Sequence, residues 1–146
     1  PAAQRHRLAL LALLVLAHPR SISRDKLVAY LWPERDAPHA RNLLKQGVYA
    51  LRRVLGEQSI LSTGDELCLD TSSLSCDVID FAAACGGGDF ERAFALYGGS
   101  LLDGFHLPQA PEFEQLIDDP LVSLWALVGQ KRLDLLRRGR QPGQVQ

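Results

Sequence analysis

The stretch "ARNLLKQGVYALRRVLG", Ala40 to Gly56, holds Arg41, Lys45, Arg52 and Arg53 and no Asp or Glu, in a chain of 146 residues whose formal charge is −1. Extended back to Pro38, it opens on a proline suited to a first helical turn and closes on Gly56, suited to the position after the last one. At 100° per residue from Arg41, the apolar Ala50, Leu43, Val54, Leu51, Leu44, Leu55 and Val48 fall between about 180° and 340°. Arg41, Arg52, Lys45, Tyr49, Asn42, Arg53 and Gln46 fall between about 0° and 140°. The helix predicted over 38–55 thus has a core face, fixed by Leu44, Val48, Leu51 and Leu55, and a continuous polar strip.

Working outward, "SISRDKLVAYLW" offers Ser23 as an N-cap, Asp25 in the first turn, and Leu27, Val28, Leu31 and Trp32 on one face. A short helix over about residues 24–32 follows, ending before Pro33. "PERDAPHA" is a tight polar connection, so the two segments form a helix-turn-helix. Upstream, Gln4 to Ala17 is apolar nearly all round, which suits a helix buried on several sides and stopped by "HPR". Downstream, "SILSTGDELCLD" alternates with period two around Gly64-Asp65, a hairpin signal with Ile60 and Leu67 facing a core.

From Cys76 the texture becomes helical: "CDVIDFAAAC" ends at "GGG", and "DFERAFALY" has Asp89 as its N-cap. Phe90, Ala93, Phe94 and Tyr97 recur at helical spacing, an aromatic stripe expected in a core. "LLDGFHLPQAP" reads as a loop, and "PEFEQLIDD" with "PLVSLWALVGQKRLDLLRRG" as one long helix or two, Asp119 capping a start at Pro120. The helix pair near 77–97 reads as one unit of a helical repeat. The expected organisation is mainly α: a three-helix winged helix-turn-helix with a C-terminal hairpin over 1–72, and an all-helical domain over 76–146.

Composition supports a core-forming protein, 47% apolar and 23% charged. The near-zero charge hides a polarity: residues 1–56 hold ten Lys/Arg against three Asp/Glu, residues 57–146 six against fourteen. Cys68, Cys76 and Cys85 are odd in number and lack C-x-x-C spacing, which speaks against a disulfide framework or zinc knuckle and for reduced thiols. "RHR" followed by Leu8 to Ala17 imitates a signal peptide, but a ten-residue apolar run is too short to span a bilayer. A start at Pro1 and an end at "GRQPGQVQ" read as a piece of a longer protein.

No chemistry-bearing constellation emerges. "GGSLLDG" is not a nucleophile elbow and "GGGDFER" lacks the lysine of a phosphate loop. His6, His18, His39 and His106 have no metal-ligand spacing, and Asp118 with Asp119 has no catalytic partner. The expectation is no enzyme, no metal and no cofactor.

The strip on 38–55 has a different use, because 18 residues make a helix of roughly 27 Å that fits a DNA major groove. Arg binds guanine edges, Asn and Gln read adenine, and Lys, Arg and Tyr hold phosphates. Arg41, Asn42, Lys45, Gln46 and Tyr49 are expected in the groove, Arg52 and Arg53 on phosphates, and Ser62, Thr63 and Gly64 at the tip of a wing. The acidic half is expected to avoid phosphate and contact protein. The competing reading is an interaction adaptor whose acidic half closes off the basic strip. The expected setting is cytoplasmic, with double-stranded DNA as partner and no membrane.

"LALLALLVLAHPRSISRDKLVAYLW", "ARNLLKQGVYALRRVLG" and the following hairpin resemble the winged-helix domain of the SARP-type, OmpR-like bacterial transcriptional regulators. "DVIDFAAAC", "GDFERAFALYGGSLLDGF" and "LPQAPEFEQLIDD" resemble the bacterial transcriptional activator domain, a tetratricopeptide-like module fused to that winged helix. The resemblance covers most of residues 8–119. It implies an activator that binds direct repeats upstream of promoters, as a homodimer, and recruits RNA polymerase. Two departures stand out: the sheet that precedes the first helix in the family is missing here, and "PLVSLWALVG" replaces a charged helix after "EQLIDD".

Overall fold

The computed structural model describes residues 2–72, 74–97, 102 and 104–118. In chain order the elements are α1 (Ala2–Ala17), β1 (Ile22–Ser23), α2 (Arg24–Leu31), α3 (Ala37–Leu55), β2 (Ile60–Thr63), β3 (Glu66–Leu69), α4 (Asp77–Gly86), α5 (Phe90–Leu96) and α6 (Pro111–Asp118). The cap expected at Asp119 and the helix expected beyond it lie outside the described residues.

Local chemistry sets the helix ends. The Ser23 hydroxyl accepts from the Lys26 N–H at 3.1 Å and opens α2. The Asp36 carboxylate caps α3 by accepting from the His39 N–H at 3.2 Å, so the helix begins one residue before Pro38. Gly56 closes α3 at φ 113°, its N–H donating to the Arg52 carbonyl at 2.8 Å. That positive φ favours a residue without Cβ.

The hairpin forms with Ile60 opposite Leu69 and Thr63 opposite Glu66. Gly64 at φ 60° takes the first central place of its two-residue turn, where the right-handed strand twist asks for glycine. Sequence periodicity did not reveal β1, because two residues cannot show a period of two. Ile22 pairs with Leu67 and Ser23 with Glu66, which completes an antiparallel sheet of order β1-β3-β2.

Seven residues of α1 are buried: Ala9, Leu10, Ala12, Leu13, Leu14, Val15 and Leu16. They join Leu27 and Leu31 of α2, Leu44, Val48 and Leu51 of α3, and Ile60, Leu67 and Leu69 of the hairpin in one core. Leu55 packs half-buried at its margin. Helix α1 is scaffold, enclosed from several sides. It approaches α3 closely at Gly47, where an added Cβ would stand 3.2 Å from Leu10 Cδ2. The same core takes in Leu107, Ala110, Phe113 and Ile117, so the packing around α1 reaches past residue 76 into α6.

Two expectations about apolar faces are corrected. Val54, placed on the core arc of α3, is 82% exposed. It lies seven residues, about 10 Å, beyond the Gly47 crossing, where diverging helices no longer cover each other. The aromatic stripe of α5 is not core among the described residues: Phe90 is 45%, Phe94 84% and Tyr97 51% exposed, and only Ala93 of the four is buried. Helix α5 packs on α4 through a small cluster of Ala84, Cys85 and Ala93, flanked by Phe81 and Leu96. Seven residues of helix against a single neighbour leave most of the circumference open.

Candidate nucleic-acid interface

Helix α3 is anchored on one side and open on the other. Leu44, Val48 and Leu51 hold it to the core, while Asn42, Lys45, Gln46, Tyr49 and Arg53 project on the exposed face. Its 19 residues span about 28 Å, and no acidic side chain lies along it.

The two edges of the polar strip differ. At the hairpin edge, Arg41 makes an ion pair with Asp25 and a second one with Asp65 at 3.3 Å. The hydrogen bond that Arg41 donates to Asp25, then that to Asp65, raises its pKa above the ordinary value. Arg52, on the same edge, donates from Nε and Nη2 to the Ile60 carbonyl at 3.1 and 2.6 Å, tying α3 to the first residue of β2. Both guanidinium groups therefore already have partners in the free protein. At the α1 edge, Gln46 and Arg53 stand beside Ala50 around a shallow hollow that also takes in Asn42, Lys45, Tyr49 and Val54. The Arg53 guanidinium lies 5.9 Å from the Tyr49 ring centroid and donates to its hydroxyl at 3.5 Å. Tyr49 is 61% exposed, so this pair forms a flat polar-aromatic surface facing outward.

The hairpin turn comes back along α3 toward Arg41. Arg24 Nη2 donates to the Ser62 hydroxyl at 2.8 Å, and the Arg24 N–H donates to the Asp65 carbonyl at 2.9 Å, which docks the turn on the start of α2. Thr63 and Gly64 stay exposed at the tip. The hairpin turn thus lies beside the Arg41 end of the α3 strip, through the Arg41–Asp65 pair.

Sequence reading missed several participants. Asp25 and Asp65 are far apart in sequence and meet only because the turn folds onto α2. Arg7 belongs to α1 yet lines the hollow beside Asn42 and Gln46. The "RHR" run was its signal, read instead as the flank of an apolar segment. Among the described residues no group of three or more His, Cys, Asp or Glu is placed to hold a metal, and Cys68, Cys76 and Cys85 are unpaired.

A helix-turn-helix with a two-stranded hairpin directly after the second helix is the architecture of a winged helix. Residues 2–64 match the family model described as "Transcriptional regulatory protein, C terminal", from α1 to the tip of the hairpin. That match, covering less than half of the 146 residues, indicates a DNA-binding transcriptional regulator with double-stranded DNA as its partner. Comparison with curated proteins gave no match. Among the described residues, no helix is long and apolar enough to cross a membrane.

Proposed function

We propose that this chain is a sequence-specific transcriptional activator whose helix α3 enters the DNA major groove. One observation carries the reading: Asn42, Lys45, Gln46, Tyr49 and Arg53 are exposed on a face of α3 that holds no acidic side chain. Asn42, Lys45, Gln46 and Tyr49 address base edges and the groove floor, and Arg53 takes phosphate. Arg41 joins them when phosphate displaces Asp25 and Asp65, and Arg52 acts chiefly by holding the hairpin so that Ser62, Thr63 and Gly64 reach the backbone. Among the described residues no acidic segment lies over the strip, which favours DNA over the adaptor reading.

The finer parts of the reading rest on the family resemblance. They are direct repeats occupied by two copies, activation through RNA polymerase, action in the cytoplasm, and a helical partner module that begins at α4. The division is functional: residues 1–72 contact DNA, and residues 76–146 contact protein while sharing the α1 core through α6.

Fluorescence anisotropy against duplex DNA over a salt series tests the reading. Four to seven engaged phosphates predict log K falling against log salt with a slope of roughly −4 to −6. Arg53→Ala should weaken binding and flatten the slope by about one. Absence of duplex binding at low salt in the full-length protein would overturn the proposal.

A further inference from the structure

We infer that the DNA-contacting surface extends beyond the helix-turn-helix onto α1, where Arg7 clamps the phosphate row that flanks α3 on that side. The inference rests on the proposed insertion of α3 and adds a contact that the helix-turn-helix and wing do not supply.

A helix lying in a groove about 12 Å wide has a row of phosphates along each flank. With side chains the helix is itself about 10–12 Å across, so each row runs some 6 Å from its axis. A neighbouring helix packed at the usual 8–10 Å has its own axis close to one of those rows. Helix α1 is that neighbour, and the Gly47 crossing, with Leu10 Cδ2 only 3.2 Å from a Cβ that glycine lacks, brings the two helices close. Arg7 lies three residues before Leu10, one turn toward the exposed start of α1. From there it lines the hollow formed with Asn42, Lys45, Gln46, Tyr49 and Arg53.

Electrostatics separate the two flanks. On the hairpin flank Arg41 is neutralised by Asp25 and Asp65, and Arg52 is spent on the Ile60 carbonyl. Among the described residues Arg7 and Lys45 on the α1 flank make no ion pair, and Arg53 hydrogen-bonds the Tyr49 hydroxyl and no carboxylate. Glu34 lines a neighbouring hollow of about 220 Å³ together with Arg7, and among the described residues no ion pair joins them. An incoming phosphate row therefore meets unspent positive charge on the α1 side and acid-buffered charge on the other.

Salt-series titrations of random-sequence duplex DNA with the full chain, Arg7→Ala, Arg5→Ala and Arg53→Ala test this. Arg5 is exposed on α1 but does not line the hollow, so it controls for bulk charge. One released counterion is worth 0.9 in slope, or about eightfold in affinity at 0.1 M salt. Arg7→Ala should lose about that much on every duplex, with an unchanged melting temperature, and Arg5→Ala should lose almost none. An Arg7→Ala slope equal to that of the parent, with Arg53→Ala flattened, would overturn the inference and leave the proposed function standing. Equal losses in Arg5→Ala and Arg7→Ala would overturn it too, as a bulk-charge effect. Failure of the parent chain to bind duplex DNA at low salt would remove the proposed function and this inference together.

Discussion

The α1 core and the α4–α5 pair start from similar material and end differently. Both are helical segments with apolar residues at helical spacing. Yet α1 alone buries seven residues, whereas α4 and α5 together bury Ala84, Cys85 and Ala93. The difference lies in the number of covering surfaces. Helix α1 is enclosed by α2, α3, the sheet and the residues around α6, while α5 has α4 and an open flank that displays Phe90, Phe94 and Tyr97. Apolar spacing shows which residues want burial; whether they get it depends on what the rest of the chain brings to them.

The strongest way to break this contrast is at Phe113. This ring is 1% exposed, meets Phe105 edge-on at 6.2 Å between centroids, and belongs to the α1 core although it lies more than forty residues downstream of the hairpin. Phe113→Ala should cost about 3–5 kcal/mol, as buried aromatic truncations do. Chemical denaturation should show a single transition moved to lower denaturant, with the loss shared by the helix-turn-helix. A cost under about 1 kcal/mol would mean that α6 is an appendage and that the core ends at the hairpin.

A smaller effect should come from the polar fastening of the same region. The Glu114 carboxylate accepts the Leu107 N–H and faces His106 Nδ1 at 3.3 Å, pinning the loop that delivers buried Leu107. The bond from the Leu107 N–H, helped by His106 and opposed by desolvation, holds the Glu114 pKa below its ordinary value of 4.5. A carboxyl lowered in the folded state binds fewer protons there than in the unfolded chain. Its contribution is complete above about pH 4.5 and is lost as pH falls through the lower folded value. Asp70, lowered chiefly by the Ser72 N–H, adds acid sensitivity of the same sign. Glu114→Gln should therefore cost about 1 kcal/mol at neutral pH. Its stability should also fall less steeply than the parent's between pH 5 and pH 3, with the Asp70 share remaining. Parallel pH profiles for the two proteins would show that Glu114 does not fasten this loop.

Much of the fold was legible because single residues decide it. Ser23, Asp89, Gly56 and Gly64 each do locally what their chemistry predicts, and the α3 strip was readable from angular spacing alone. The rest depended on encounters between distant segments. Asp36 caps α3 from just outside the helix predicted over 38–55, a bond to the His39 N–H that the first-turn fit of Pro38 does not reveal. β1 exists only because β3 offers it an edge. The partners of Arg41 come from α2 and the hairpin turn, and that of Arg52 from β2, so no helical wheel could separate Arg41 and Arg52 from Lys45. Arg7 reaches the candidate interface through the α1–α3 crossing, which is a tertiary fact. Phe113 entered the α1 core for the same kind of reason, and the α5 stripe stayed out of a core because no second described surface arrives.

The mildest prediction tests that last point. Phe94 is 84% exposed, so Phe94→Ser removes little buried surface and should change stability by no more than about 0.5 kcal/mol. Its helix propensity is close to that of serine, so α5 itself should be indifferent to the exchange. Set beside Phe113→Ala, the pair asks one question of the same side chain in two places, inside a multi-sided core and on a one-sided helix pair. Measured in the full chain, a loss of 2 kcal/mol or more at Phe94 would mean that the stripe is covered in solution. The two regions would then differ in which segment does the covering, and the contrast in burial would no longer separate them.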